Sequence, residues 1–182
     1  RYFYAFEVQP KIYSLLKENV RLNGLRNVRT RDFGLSDSTE HINIIVPDYS
    51  RELNVGAFSL DQEVRENQYE VHTQGEEVSI YVRPLDTCTF PDIGLIKMDV
   101  EGLELSVLRG GIETLKNVSL IQFEFGGSNI DSRVFFRDIY TFFIANDYKL
   151  FRLAKNRVIP INKYKESLEC FRVTVYFAIK KI

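Results

Sequence analysis

The chain has 182 residues, 45% of them hydrophobic and 27% charged, a composition typical of one ordinary globular domain spanning residues 1–182. A net charge of −1 provides no electrostatic drive toward nucleic acid or an anionic membrane, so neither is expected as a partner. The two cysteines are too few for a disulfide framework, and no apolar run reaches the roughly 18 residues of a membrane span. Together with the absence of a visible signal peptide, these features predict a cytoplasmic protein.

The first predicted elements are a strand, a helix and a second strand. Tyr2 to Phe6 is short and aromatic, which favours a buried strand. Pro10 fits the first turn of a helix, and Asn23-Gly24-Leu25 closes that helix in the manner of a Schellman motif. The core face predicted for the helix consists of Ile12, Tyr13, Leu15, Leu16 and Val20. Val28 to Phe33 is the next strand.

From Thr39 to Val82 the alternation of strand and helix stops. His41 to Val46 and Glu77 to Val82 have strand character, and Val55 to Leu60 is a third candidate strand. The polar stretch Asp61 to Gln68 separates them. We interpret this segment as a β insertion at the rim of the sheet, a position from which insertions often supply substrate walls or lids.

The middle of the chain predicts a buried strand that runs through an acidic turn into a helix. The strand extends from Ile93 to Met98, and Asp99 and Glu101 follow it at once. Apolar residues then recur at a period of 3.6, which indicates an amphipathic helix. Its stripe consists of Leu103, Val107, Leu108, Ile112 and Leu115. A strand that enters a helix through such a turn ends a βα unit, and open α/β sheets bind ligands at that place.

The last third of the chain predicts a strand, a helix and two more strands. Val118 to Phe125 is the strand, and Ser132 is expected to cap a helix with an aromatic stripe. Asn146-Asp147 ends that helix. Tyr148 to Leu153 and Phe171 to Ile179 are the final strands, joined by a link that contains a proline.

Acidic residues follow four of the predicted strands. They are Glu7, Asp32, Asp99 with Glu101, and Glu124. The carboxyl ends of parallel strands meet at one edge of a sheet, so these acids would line one edge. A carboxylate there can accept two hydrogen bonds from a ribose diol, which makes Glu7 the ribose candidate. Asp32 with Phe33 could serve a nucleoside base. Alternatives remain open: Glu7 and the Asp99–Glu101 pair fit acids favoured by the positive end of a helix dipole, and Asp32 fits an ordinary strand-end turn. Glu124, flanked by Phe123 and Phe125, could simply face solvent at an alternate strand position.

The sequence predicts no metal site. His41 and His72 are isolated, and no spacing of histidine, cysteine or acidic residues matches a zinc or calcium site. The glycine and serine motifs of P-loop NTPases and α/β hydrolases are also absent from the sequence.

A family resemblance is carried by the run D-V-E-G-x-E-x-x-V-L-x-G, from Asp99 to Gly110. The run is similar to the signature of the FkbM family of S-adenosylmethionine-dependent methyltransferases. Further segments that resemble the family are Tyr4-Ala5-Phe6-Glu7, Leu22-Asn23-Gly24, Leu35-Ser36-Asp37, the loop with Asn54, Gly56, Ser59 and Leu60, and Leu85-Asp86-Thr87. The resemblance extends over nearly the whole chain.

The resemblance implies a Rossmann-like class I methyltransferase sheet, mostly parallel with an antiparallel C-terminal strand. It implies S-adenosylmethionine as cofactor and a hydroxyl oxygen of a small molecule or glycan as methyl acceptor. By this analogy Glu7 binds the ribose, and Asp32 and Phe33 lie near the adenine. Asp99 and Glu101 would face the methionine part of the cofactor or the acceptor. Alignment and removal of the acceptor's proton are then the protein's tasks. Asp99 is the first candidate for that catalytic role and Glu101 the second.

The family's first strand and glycine-rich loop have no counterpart before Glu7, and the chain opens on Arg1 within an apolar run. We therefore treat the sequence as a fragment, and expect it alone to bind cofactor poorly and to be inactive. Loss of that central strand would leave both neighbouring strands with unpaired edges. Two other functions remain open: a nicotinamide-dependent Rossmann oxidoreductase and a non-catalytic domain that kept the sheet. The sequence indicates neither the acceptor nor the oligomeric state.

Overall fold

The computed structural model describes residues 2–46, 49, 58–68, 76–170 and 172–181. Within these residues the strands are β1 (Phe3–Phe6), β2 (Val28–Arg31), β3 (Gly34–Leu35), β4 (Glu40–Val46), β5 (Glu76–Arg83), β6 (Leu95–Met98), β7 (Leu120–Phe125), β8 (Tyr148–Ala154), β9 (Arg157–Ile161) and β10 (Thr174–Lys180). The helices are α1 (Pro10–Leu22), α2 (Gln62–Gln68), α3 (Glu104–Arg109), α4 (Ile112–Leu115), α5 (Gly127–Asp131) and α6 (Phe136–Ala145). None of these helices is long and apolar enough to cross a membrane. The predicted α/β class is confirmed.

The strands of the described residues form three sheets. β1 and β2 make a parallel two-stranded ribbon, and β3-β5-β4 make an insertion sheet. The large sheet has the order β6-β7-β10-β8-β9. Its β6–β7 pair is parallel, whereas β10 runs antiparallel to both β7 and β8, and β9 runs antiparallel to β8. The antiparallel C-terminal strand is therefore present, but a single, mostly parallel Rossmann-like sheet is not confirmed.

The strands β1 and β6 each pair on one side only within the described residues. Phe3 is 62% exposed and Leu95 is 58% exposed. The predicted burial of these two strands is therefore confirmed only in part: Met98 is buried and Ile96 packs against the core, but a strand with one neighbour leaves much of its surface open. Phe90, in the segment that precedes β6, packs against β1, because its ring centroid lies 4.7 Å from that of Tyr4.

The helix α1 ends in the predicted Schellman motif. The N–H of Leu25 donates to Val20 O and the N–H of Gly24 donates to Arg21 O, each at 3.1 Å. Gly24 takes a φ of +61°, which glycine adopts at little cost. The predicted core face of the helix is wrong, because none of its residues is buried and Leu15 is 54% exposed. A two-stranded ribbon is too narrow to bury it.

The main core lies between the large sheet and α6. Alternate residues of β7 point into this core, so Ile121, Phe123 and Phe125 are fully buried. Tyr176 of β10 stacks on Phe123 with 5.5 Å between ring centroids, and it approaches Phe136 of α6 to 4.6 Å. The aromatic stripe predicted for α6 is confirmed for Phe136, Ile139 and Phe143, which are fully buried, but not for Phe135, which precedes the helix and is 47% exposed. Phe136 also packs edge-on to Phe125, the last residue of β7, with 5.3 Å between ring centroids.

The helix predicted after the acidic turn is two short helices, α3 and α4. They are separated at Gly110-Gly111, since glycine is a poor helix former. Val107, Leu108 and Leu115 are buried as the stripe predicts, but Ile112 is 42% exposed.

Two predictions for the last third of the chain are wrong. Ser132 ends α5 and does not start the aromatic helix, whose first turn is capped by Asp138 accepting the N–H of Phe135 at 3.1 Å. The link between the predicted final strands contains β9. Pro160 argued against a strand in the sequence, because proline cannot donate a ladder hydrogen bond. However, β9 lies at the edge of the large sheet, where a missing N–H is tolerated.

The β insertion contains the two main strands that were predicted, β4 and β5. Its core is formed by Ile44, Val46, Ile80 and Val82, with Val8 packed against it. The polar stretch after residue 61 is a helix, α2, anchored by the fully buried Val64. Of the third candidate strand, Val55 to Leu60, the structure describes residues 58–60 only, and these are not a strand. Asn54 and Gly56 lie outside the described residues.

Candidate functional site

The acidic turn, residues 99–103, connects the end of β6 to α3. Lys97 Nζ lies 3.1 Å from Asp99 Oδ2, and about half of each side chain is exposed. An exposed pair of this kind adds little to stability. Lys97 is therefore the ion-pair partner of Asp99, and it places one positive charge among several carboxylates.

Glu101 has a left-handed backbone that its neighbours hold in place. Its φ is +48°, which is uncommon for a residue with a side chain. Ser128 Oγ donates to Glu101 Oε2 at 2.7 Å, and Ser59 Oγ donates to Glu101 O at 2.6 Å. Ser132 Oγ donates to Gly102 O at 2.9 Å. Helix α5 and the insertion thus fix this turn together, as a strained backbone requires.

Glu104 was not predicted as a site residue, yet it is the most deeply buried carboxyl beside the acidic turn. It is 2% exposed, and Asn129 Nδ2 donates to its Oε2. The N–H of Val100 donates to its Oε1 at 3.4 Å. Burial raises the pKa of Glu104 to about 7. The sequence feature that could have identified Glu104 is its position in the D-V-E-G-x-E run, between the apolar Leu103 and Leu105.

Glu124 joins Asp99 at the carboxyl end of the next strand. Met98 is in register with Phe123, so one further step along both parallel strands places Asp99 beside Glu124. Burial raises the pKa of Glu124, Asp99 and Glu101 raise it further, and Lys97 opposes them. The structure therefore brings together the carboxyl groups of Asp99, Glu101 and Glu124.

Glu7 follows β1 and is partly engaged by the backbone. The N–H of Gln9 donates to Glu7 Oε1 at 2.8 Å, and burial raises the pKa of Glu7. Tyr49 OH, from the insertion, donates to Gln9 Oε1 at 3.0 Å. Glu7 therefore acts in part as an ordinary turn acid that accepts a backbone N–H. A carboxylate, however, offers about four lone-pair sites. Glu7 retains the capacity to accept ribose hydroxyls.

Asp32 and Phe33 follow β2, the strand next to β1. Phe6 is in register with Arg31, so Glu7 and Asp32 leave the ribbon at the same edge. Asp32 is exposed. The ring of Phe33 packs edge-on to Phe6 at 5.5 Å, and Arg83 lies over it at 5.6 Å. Tyr81 also packs edge-on to Phe33 at 6.3 Å, so the ring that could stack on a base already has three neighbours.

The predicted continuous edge of acids is divided between two sheets. Glu7 and Asp32 lie at the ribbon, whereas Asp99, Glu101 and Glu124 lie at the large sheet. Each group follows a parallel pair of strands. Among the described residues, no set of three or more histidine, cysteine or acidic side chains is arranged to hold a metal ion.

Comparison with protein families identifies the chain. Residues 1–150 match the family described as the methyltransferase FkbM domain. The chain belongs to the FkbM methyltransferase family. The match ends within β8, so every candidate site residue of this FkbM chain lies inside it.

Comparison with solved structures agrees in fold. The FkbM methyltransferase from Methylobacillus flagellatus KT is similar with a TM-score of 0.57 at 14% identity, over 97% of this chain and 36% of that one. The chain thus spans about a third of that protein. The match to the precorrin-6y C5,15-methyltransferase from Geobacter metallireducens GS-15 covers 98% of this chain and 67% of that protein's chain. Its sequence identity is 11% and its TM-score is 0.43. No protein in a search of curated sequences matches.

Different residues of this FkbM chain are candidates for different parts of S-adenosylmethionine. Glu7 offers a half-buried carboxylate for a ribose diol, with one oxygen oriented by the backbone. The three carboxyl groups of Asp99, Glu101 and Glu124 would attract a cationic sulfonium. On the adenine side the chain offers the exposed Asp32 and the ring of Phe33, which has Arg83 over it. These residues could hold the sulfonium and adenine parts of the cofactor, as Glu7 could hold its ribose.

Proposed function

We propose that this chain is part of an S-adenosylmethionine-dependent methyltransferase that methylates a hydroxyl oxygen of a small molecule or glycan. The observation that carries the proposal is the FkbM family match, combined with the three carboxyl groups at the ends of β6 and β7. The family match also favours methyl transfer over the nicotinamide-dependent alternative, and the described acids give the non-catalytic alternative no support.

Each candidate residue has one role in this proposal. The sulfonium supplies an already activated methyl group. Glu7 accepts hydrogen bonds from the ribose, and Asp32 with Phe33 borders the adenine. Asp99 orients the acceptor hydroxyl and takes its proton, while Lys97 holds the Asp99 carboxylate at 3.1 Å. Glu101 is the second candidate, although Ser128 already engages one of its oxygens.

The proposal is tested in the complete natural polypeptide that contains this chain. Asp99→Asn keeps the size of the side chain but cannot accept a proton, so turnover is expected to fall by about 10²-fold or more. Affinity for S-adenosylmethionine, measured by calorimetry, should change much less. Asp92→Asn, at an exposed position before β6, is the matched control and should keep normal turnover. Unchanged turnover in Asp99→Asn would remove Asp99 from the catalytic role.

The 182-residue chain alone is expected to bind S-adenosylmethionine weakly or not at all. Glu7 and Asp99 belong to separate sheets, and β1 and β6 do not pair with each other. The two halves of the proposed site are therefore not joined by a hydrogen-bonded strand ladder. Calorimetry on this chain tests the expectation, and micromolar affinity would contradict it.

A further inference from the structure

A buried chain of hydrogen bonds joins the ends of β6 and β7. The N–H of Val100, just after β6, donates to Glu104 Oε1 at 3.4 Å. Asn129 Nδ2 donates to Glu104 Oε2, and the N–H of Gly126, just after β7, donates to Asn129 Oδ1 at 3.0 Å. Glu104 and Asn129 are each 2% exposed. Two side chains thus bridge the two strand ends.

The geometry of this bridge suits a carboxyl group at one position and an amide at the other. Both oxygens of Glu104 face N–H donors, so an amide in its place would set an NH₂ group against another donor. Burying a carboxyl group is costly, and an apolar residue would fill the space more cheaply. Stability of the core alone therefore does not explain Glu104.

The bridge ends beside the acidic residues of the candidate site. Val100 lies between Asp99 and Glu101, and Gly126 lies two residues after Glu124. The β6–β7 ladder ends at Met98 and Phe123, so a change in the length of the bridge would act on the segments beyond it, which carry Asp99, Glu101 and Glu124. The left-handed Glu101, which Ser128 of α5 also contacts, is subject to the same displacement.

We propose that Glu104 and Asn129 are a positioning pair that sets the separation of Asp99 and Glu101 from Glu124. Neither side chain is assigned a contact with substrate or cofactor. The pair acts by holding the three carboxyl groups at a distance suited to one shared ligand. Its consequence for turnover rests on the proposed methyl transfer, whereas its effect on geometry does not.

The test uses two single variants and their double variant. In Glu104→Gln an amide donor faces a donor, and in Asn129→Asp two carboxyl groups face each other. The double variant E104Q/N129D restores every bond, because the amide introduced at position 104 can donate to the carboxylate introduced at position 129 while each side chain still accepts one backbone N–H. The charge merely moves from one member of the pair to the other.

The readout is the titration of the Glu124 carboxyl, followed by carbon-13 NMR in the 182-residue chain. Asp99 and Glu101 influence this titration through space. We expect each single variant to shift its midpoint by about half a pH unit or more, and the double variant to restore it. Leu150→Ala, in the core on β8, lowers stability away from the pair and should leave the midpoint unchanged.

The proposal is overturned if Glu104→Gln folds with an unchanged Glu124 midpoint, or if the double variant folds with a shifted one. If the single variants do not fold, the double variant against the wild type decides the matter alone. Turnover of the complete polypeptide is measured separately. A shifted midpoint with no methyl transfer by the wild type would contradict the proposed function and support the positioning pair.

Discussion

The buried Glu104 should make the stability of this chain decrease as the pH rises from about 4.5 to about 7. Burial raises the pKa of this carboxyl from 4.5 to about 7 in the folded state. Between those values the folded chain keeps a proton that the unfolded chain has lost, so the slope of the unfolding free energy is negative. Below the window both states are protonated, and above it both are ionised. The full loss is on the order of 3 kcal/mol.

The measurement is urea unfolding at several pH values for the wild type and for Glu104→Gln. Gln does not titrate, so the loss of Glu104 dominates the difference between the two curves. Glu7 is present in both, and the shift of about half a pH unit expected for Glu124 contributes only about 0.7 kcal/mol. We expect the wild type to lose about 3 kcal/mol relative to the variant between about pH 4.5 and 8. Ile139→Val in α6 should lower stability by about 1 kcal/mol equally at every pH. Parallel curves for the wild type and Glu104→Gln would refute the reasoning.

Two further predictions concern backbone geometry and a buried hydroxyl. Gly102→Ala should lower the free energy of unfolding by at least about 2 kcal/mol, because the residue has a φ of +98° and an added Cβ would lie 2.6 Å from Ser128 O. A thermal midpoint equal to that of the wild type would show that the turn can relax. Tyr148→Phe should cost about 1–3 kcal/mol in urea unfolding, because the buried hydroxyl is shared between Leu115 O at 2.7 Å and Val118 O at 2.8 Å. A loss below about 0.5 kcal/mol would mean that the two carbonyls find other donors.

Local chemistry allowed several parts of this structure to be predicted. The cap at Gly24 follows from the one residue that takes a positive φ easily, and the aromatic stripe of α6 follows from its period. The acidic turn could be placed because a buried strand and an amphipathic segment enclose Asp99 and Glu101. Each of these features depends on residues close together in the sequence.

Burial and sheet membership could not be predicted, because they depend on distant partners. The aromatic run at β1 and the apolar face of α1 have the composition of a core, yet each has too little structure beside it to be buried. β9 was not predicted because it contains Pro160, and proline is tolerated in a strand only at a sheet edge. Glu104 lies within the family motif, but the sequence does not indicate its role, because only the fold brings Asn129 opposite it.

The insertion braces the acidic turn as well as bordering it. Ser59, fully buried, donates to Glu101 O at 2.6 Å, and the N–H of Asp61 donates to Ser59 Oγ at 3.1 Å. The following helix α2 packs against α5, and Glu63 of α2 forms an exposed ion pair with Arg133, just after α5, at 3.0 Å. Because Ser128 of α5 also donates to Glu101, the turn is contacted by both the insertion and α5, and these two segments contact each other. A displacement of the insertion must therefore be transmitted to the backbone of Glu101, which couples the segment expected to border the acceptor with the carboxyl groups expected to act on it.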